Sequence, residues 1–367
     1  MPEDGKDPLL IWAEYHLHPN LSREEAFKLL QPHNNDFRFT YGLASLFITL
    51  YSITAVSALI VNSLMAYVLI SNKTLRSANN AFVTNLIISD ILLALIVMPL
   101  STIMLILKEW NLGETFCKMT PWLKATCVSC STYSISAIAA IRYRCIVKGS
   151  KLPSYRNASL GIATIWVVST IIGSPMLFVV QIRIYKIAPP YLLYRTCSEH
   201  WQSYTLKVLY SVTVMTLQFI LPLLIIAFVH WNICSVLKRR INARHRPLVR
   251  ALREARRHRK NSTLLMMIAC VFAFCWFPFS FFNLIADLES KQISNEYFMV
   301  IYGSFLLIAL SSACLNPLLY CWTNEAIRRT IKGLLKRNTN YNRRNTNLQE
   351  NSLIMRVLRN QPLVHVL

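Results

Sequence analysis

The sequence predicts an all-α membrane protein: a bundle of seven transmembrane helices with a short amphipathic helix after the last span. Three observations predict it. The chain is 54% hydrophobic with positive mean hydropathy, a composition suited to lipid. Seven apolar stretches, at about 43–71, 80–107, 116–141, 159–182, 205–237, 261–287 and 296–322, each reach the ~20 residues a helix needs to cross a bilayer. Positive charge is divided between alternate loops. The side holding 71–79, 142–158, 238–260 and 323–367 carries 27 Lys/Arg, against 9 on the side holding 1–42, 108–114, 182–204 and 288–295. The Lys/Arg-rich side is cytoplasmic, which puts the N-terminus outside. The net charge of +22 is then a topology signal and an attraction to anionic membrane lipid, not a nucleic-acid footprint.

In chain order, residues 1–42 are polar, of mixed charge and broken by prolines 2, 8, 19 and 32. They are expected to form an extracellular segment with no cleavable signal, carrying a glycosylation sequon at Asn20. Residues 43–322 hold the bundle. Span 1 contains Asn62. Span 2 contains Asp90, the single mid-span acid. A carboxylate at that depth is costly and marks function unless it is structural glue. Trp110, Gly113 and Cys117 precede span 3, and Cys197 lies in the next outer loop. These two outward-facing cysteines are expected to pair. The other eight lie in or near apolar spans as small fillers.

Span 3 ends in Ile141-Arg142-Tyr143-Arg144 at the cytoplasmic boundary. Pro175, Pro222, Pro278 and Pro317 interrupt spans 4 to 7. A proline inside a helix removes a hydrogen bond and kinks it. Pro278 follows Cys275-Trp276, so span 6 reads as a lever with a basic inner end, a pivot and an acid, Asp287, at its outer end. After span 7, residues 323–336 place Ile327, Ile331, Leu334 and Leu335 on one helical face with basic residues elsewhere, the pattern of a helix lying on the membrane surface. Residues 337–367, rich in Asn and Arg, read as a disordered cytoplasmic tail.

Taken together, Asn62, Leu86 with Asp90, the Cys117/Cys197 pair, Arg142-Tyr143, Trp166, Pro222, Cys275-Trp276-Phe277-Pro278 and Asn316-Pro317-Leu318-Leu319-Tyr320 resemble the rhodopsin-like G-protein-coupled receptors. The resemblance covers about 40–335. Within that family the chain looks most like the neuropeptide Y / neuropeptide F receptor group, on Phe282-Asn283-Leu284-Ile285-Ala286-Asp287, Arg142-Tyr143-Arg144-Cys145-Ile146-Val147 and Pro121 after Cys117. The resemblance implies a receptor in the plasma membrane that passes the binding of an extracellular peptide to a heterotrimeric G protein. It implies ligand contacts at Lys124, Gln218, Trp276, Asn283, Asp287 and Tyr302. Coupling and switching fall to Arg142, Tyr143, His230, Trp276, Pro278, Asn316, Pro317 and Tyr320. Asp90, Ser131, Ser312 and Asn316 match a polar cluster that can hold a sodium ion, reduced here by Cys127 and Ala313; a buried water network is the alternative. No other cofactor is implied.

Two positions depart from the family. Ile141 stands where an acid usually partners the arginine, and His230 where span 5 usually has tyrosine. They leave open a receptor-like protein that binds ligand but couples weakly or constitutively. Lys124 stands where an amine ligand needs an anion, and residues 296–322 contain no lysine for a retinal Schiff base. A peptide remains, whose arginine Asp287, Glu289 and Glu296 suit, unless Asp287 is merely a solvated helix end. No His-Glu-x-x-His, Gly-x-Ser-x-Gly or paired membrane acids point to an intramembrane enzyme, and no repeat points to a transporter.

Overall fold

The computed structural model describes residues 41–72, 77–107, 110–187, 192–242, 249–288, 296–323, 327–331 and 333. The Asn20 sequon, Glu289, the tail and half of the expected amphipathic helix, 324–326, 332 and 334–336, lie outside them. Within them, α1 is Tyr41–Ser71. α2 runs as Ala78–Leu92, a π turn Leu93–Val97, and Met98–Ile106. α3 is Gly113–Ile146, and α4 is Tyr155–Gly173 followed by a turn Pro175–Val179. Strands β1 (Val180–Ile187) and β2 (Leu192–Glu199) form an antiparallel hairpin. α5 runs as Tyr204–Met215, a π turn Thr216–Ile220, and Leu221–Asn242. α6 is Val249–Leu288 and α7 is Glu296–Thr323. α1 packs on α2 and α7, α7 on α6, and α6 on α5, while α3 touches α2, α4, α5 and α6.

Six of these helices are long and apolar enough to cross a membrane, and α3 is not among them. α3, 34 residues long, is less apolar than the sequence reading expects, and its central position explains why. Thr120, Thr126, Ser129, Ser131, Thr132 and Ser134 are buried against protein rather than lipid. Several of their hydroxyls donate to the carbonyl one turn back, as Thr132 does to Val128 at 2.9 Å and Ser134 to Cys130 at 2.7 Å. The outer helices instead turn Leu160, Val167, Leu224, Phe228, Trp231 and Phe274 outward, fully or largely exposed. An apolar belt of that extent requires a lipid neighbour.

The prolines are accommodated in identifiable ways. A helical proline clashes with the carbonyl four residues before it and leaves that carbonyl without its donor. In α2 the residue four before Pro99 is Leu95, and in α5 the residue four before Pro222 is Gln218; both lie inside π turns, whose wider winding absorbs the mismatch. Before Pro317 the freed carbonyl is Ala313, which accepts a 2.8 Å hydrogen bond from Asn62 Nδ2 on α1. Before Pro175 it is Ile171, which accepts from Ser174 Oγ at 2.8 Å. Asn62 is thus the residue that lets α7 bend without an unpaired carbonyl.

The outer loop also departs from the expected all-α fold. Span 4 stops at Val179 rather than 182, because Val180, Ile182 and Ile184 alternate with Gln181 and Arg183, a period of two that suits a strand. Ile182 pairs with Cys197 across the hairpin, and Cys197 is bonded to Cys117 at the start of α3. A second tie runs from the Trp110 amide to the Arg195 carbonyl at 2.8 Å. The chain enters α3 through Gly113 at φ +83, a conformation only glycine adopts cheaply, and the Trp110 indole donates to the Gly113 carbonyl.

Candidate functional site: an outer cup, a buried polar core and an inner switch

The outer halves of α3, α5, α6 and α7 bring aromatic and charged side chains together in one cluster, the outer cup. Its wall is aromatic. Phe279 lies 5.3 Å from Tyr302 and 6.2 Å edge-on from Trp276, and Phe282 lies 5.0 Å from Phe298. Lys124 Nζ sits 5.2 Å over the Phe279 ring. Asp287 is held from α5: Lys207 Nζ is 2.8 Å from one carboxylate oxygen and Ser211 Oγ donates to the other at 2.5 Å. Tyr204 adds a hydrogen bond to the Leu288 carbonyl. Of the six expected ligand contacts, Lys124, Asn283, Asp287 and Tyr302 lie half-buried on this cup, and Trp276 closes its floor. Gln218 is engaged within the bundle: its amide donates to the Ala125 carbonyl at 3.1 Å and Ser129 Oγ at 2.7 Å, tying α5 to α3.

Below Trp276 lies a buried polar core. Asp90 accepts from Asn316 Nδ2 at 3.2 Å and from Ser131 Oγ at 3.4 Å. Ser131 also bonds Ser89 at 2.8 Å. Ser312 does not join Asp90; it accepts the Trp276 indole N–H at 2.8 Å, so the floor of the cup hangs directly on α7. A neighbouring tie joins Trp166 to Asn85 at 2.8 Å and Asn85 to Ser134 at 2.9 Å, linking α4, α2 and α3.

At the inner end, the Arg142 guanidinium lies in electrostatic range of the Tyr320 hydroxyl. Ile141 and Tyr143 pack against the inner apolar cluster, which contains Tyr320, Leu265 and Ile268. His230 Nδ1 is 3.0 Å from Ser262 Oγ, and its Nε2 is 3.6 Å from Cys234 Sγ. The histidine that replaces the usual tyrosine therefore fastens α5 to α6. Residues 327–331 are helical, with Ile327 in the same inner cluster and Asn72 Nδ2 donating to Thr330 at 3.1 Å.

Residues 61–320 match the family model described as 7 transmembrane receptor (rhodopsin family). The chain is a rhodopsin-family receptor. It is 34% identical over 303 residues to the Neuropeptide F receptor of Drosophila melanogaster, covering 79% of this chain and 62% of that protein. It is 32% identical to the Neuropeptide Y receptor type 2 of Gallus gallus over 73% of this chain and 69% of that one. For the Homo sapiens Neuropeptide Y receptor type 2 the identity is 30%, over 74% and 71%. The receptor thus spans less than two thirds of the Drosophila protein's length. The likeness to the neuropeptide Y and F receptor group read from the motifs is borne out, and the family and these relatives are receptors rather than enzymes.

Four features of the receptor's site were not read from sequence: the Lys207 partner of Asp287, the Ser262 partner of His230, the inward turn of Gln218, and Pro99 with its π turn. Pro99 was visible in the sequence. The first three are long-range pairings that no local pattern announces.

Proposed function

We propose that the receptor binds an extracellular peptide of the neuropeptide Y/F type and passes the event to a heterotrimeric G protein at its cytoplasmic end, in the plasma membrane, with its N-terminus outside and residues 323–336 lying on the inner leaflet. The observation that carries this is the aromatic cup standing directly on Trp276, which is fixed to α7 through Ser312. The relatives' names, neuropeptide F and neuropeptide Y receptors, support the ligand class.

A ligand acts by binding one packing of the bundle more tightly than another. Trp276 and Pro278 form the pivot of α6. Release of the His230–Ser262 contact lets the inner ends of α5 and α6 part, and Arg142 then meets the G protein. Asn316-Pro317 bends α7 at the same level as Asp90. The polar core also suits a sodium ion, the proposed cofactor. Asp90 with Ser131 and Asn316 beside it offers the oxygen donors a hard cation takes, and Asn316 Oδ1 is a buried acceptor with no donor among the described residues.

Two outcomes test this function. The arginine of an amidated peptide, offering a bidentate fork where Lys207 offers one ammonium, displaces Lys207 from Asp287. Asp287→Ala is therefore expected to weaken an arginine-bearing peptide by about tenfold or more, since a hydrogen-bonded charge is worth ~1.5–3 kcal/mol. Its arginine-free analogue should weaken far less, and equal losses in a competition assay would sink the pairing. At the inner end, Ile141 stands where the family usually places an acid beside the arginine, so basal nucleotide exchange is expected to be raised. Ile141→Asp should lower it severalfold, as an ion pair of ~1 kcal/mol would; an unchanged basal rate contradicts this.

A further inference from the structure

We infer that Lys124 is a carboxylate-binding subsite on the wall of the outer cup, so that the ligand presents an acidic side chain to it. Lys124 is half-buried, and its ammonium lies over the Phe279 ring. An aromatic face offsets only part of the cost of desolvating a cation. The acids on the outer half whose side chains are described, Asp287, Glu114 and Glu199, are already engaged. Asp287 holds Lys207 and Ser211, Glu114 pairs with Lys118 at 2.5 Å, and Glu199 accepts from the Trp201 indole. Asp90, deeper in the core, is held by Ser131 and Asn316.

The cup's two charges therefore differ in kind. Asp287 is neutralised from within, whereas Lys124 meets no anion among the described side chains. Lys124 lies seven residues below Cys117 and seven above Ser131, about 10 Å from each along the helix. That depth is within reach of a side chain entering under the hairpin. The ring beneath it touches both Trp276 and Tyr302, so an anion drawing Lys124 off Phe279 acts directly on the pivot. The complement is a carboxylate beside an aromatic group, an acidic residue next to Phe, Tyr or Trp in a peptide. This deepens the peptide-receptor proposal, but the subsite itself is tested without any known agonist.

The test uses the purified full chain in lipid nanodiscs with its lysines 13C-dimethylated, a change that preserves charge, and follows the Lys124 methyl resonance assigned by its loss in Lys124→Gln. The probes are N-acetyl-Asp-Phe-amide and N-acetyl-Asn-Phe-amide. The aspartyl probe is expected to shift the Lys124 resonance at concentrations about tenfold lower than the asparaginyl probe, the ratio a charged hydrogen bond confers. Should Lys124→Gln fail to fold, Lys124→Arg serves: by intrinsic tryptophan fluorescence it should keep the aspartyl preference. Equal responses to the two probes, or an unmoved Lys124 resonance, overturn the subsite. Failure of every peptide in a cell-based G-protein reporter, with the aspartyl preference intact, counts against the peptide-receptor proposal alone.

Discussion

Cys197→Ser is expected to abolish saturable peptide binding and to reduce the receptor at the cell surface to a small fraction of the parent. The Cys117–Cys197 bond closes a loop across a sequence separation of 80 residues, and removing a native bridge of this kind costs ~2–5 kcal/mol. The loss is concentrated at the cup. The hairpin meets α3 through this bond and is otherwise held beside it by the Trp110–Arg195 backbone contact and the small cluster of Trp110, Met176 and Val180. Without the bond, β2 is free to lift from α3 and uncover the ligand space. Cys270, an exposed free thiol on α6, supplies the control: Cys270→Ser should leave surface level and binding unchanged. Surface antibody labelling and saturation binding on the same cells decide the matter, and a Cys197→Ser variant that binds normally would show that packing alone holds the lid.

Arg142→Ala is expected to reduce ligand-stimulated nucleotide exchange by about 100-fold or more while peptide affinity stays within a fewfold of the parent. Truncating a charged group buried at a protein interface costs ~2–5 kcal/mol, and Arg142 is a cation near the inner end of the central helix α3. The separation of the two effects matters. Arg142 lies 18 residues along α3 from Lys124, roughly 27 Å at the helical rise, so a direct effect on the cup is not expected. Parallel loss of binding and exchange would mean that the substitution unfolds the bundle.

Much of the architecture could be read from the chain because its dominant signal is local. Lipid demands long apolar helices, and each hydrophobic stretch announced one. α3 reads as apolar in the sequence because its Cys, Ala and Ile content masks its serines and threonines. In the structure those hydroxyls are tolerated because they bond their own backbone within a helix that other helices surround. The β hairpin was hidden for the opposite reason. Val179, Val180 and Ile182 extend the hydrophobic run of α4, so length outweighs the alternation that Gln181 and Arg183 reveal. The prolines marked the bends but not the compensation; that Asn62 caps the Ala313 carbonyl depends on two helices meeting 251 residues apart.

At the site, the individual charges were legible and their partners were not. Asp287 and Lys124 stood out as charges at the outer ends of apolar spans. Whether each was satisfied depended on Lys207 and Phe279, brought in by α5 and α6. His230 was legible only as a departure, and its contact with Ser262 gives that departure a physical role: a polar link between the two helices expected to separate.

The central claim is that the cup and the inner switch belong to one ligand-operated device. Guanine-nucleotide exchange by the full chain in lipid nanodiscs with a heterotrimeric G protein tests it most directly, measured first without ligand and then with amidated peptides of the neuropeptide F and neuropeptide Y classes. The account predicts basal exchange above the receptor-free rate, a further rise with one of these peptides, and loss of both in Arg142→Ala. A peptide that binds saturably in the cup and leaves the exchange rate at the receptor-free level would contradict it.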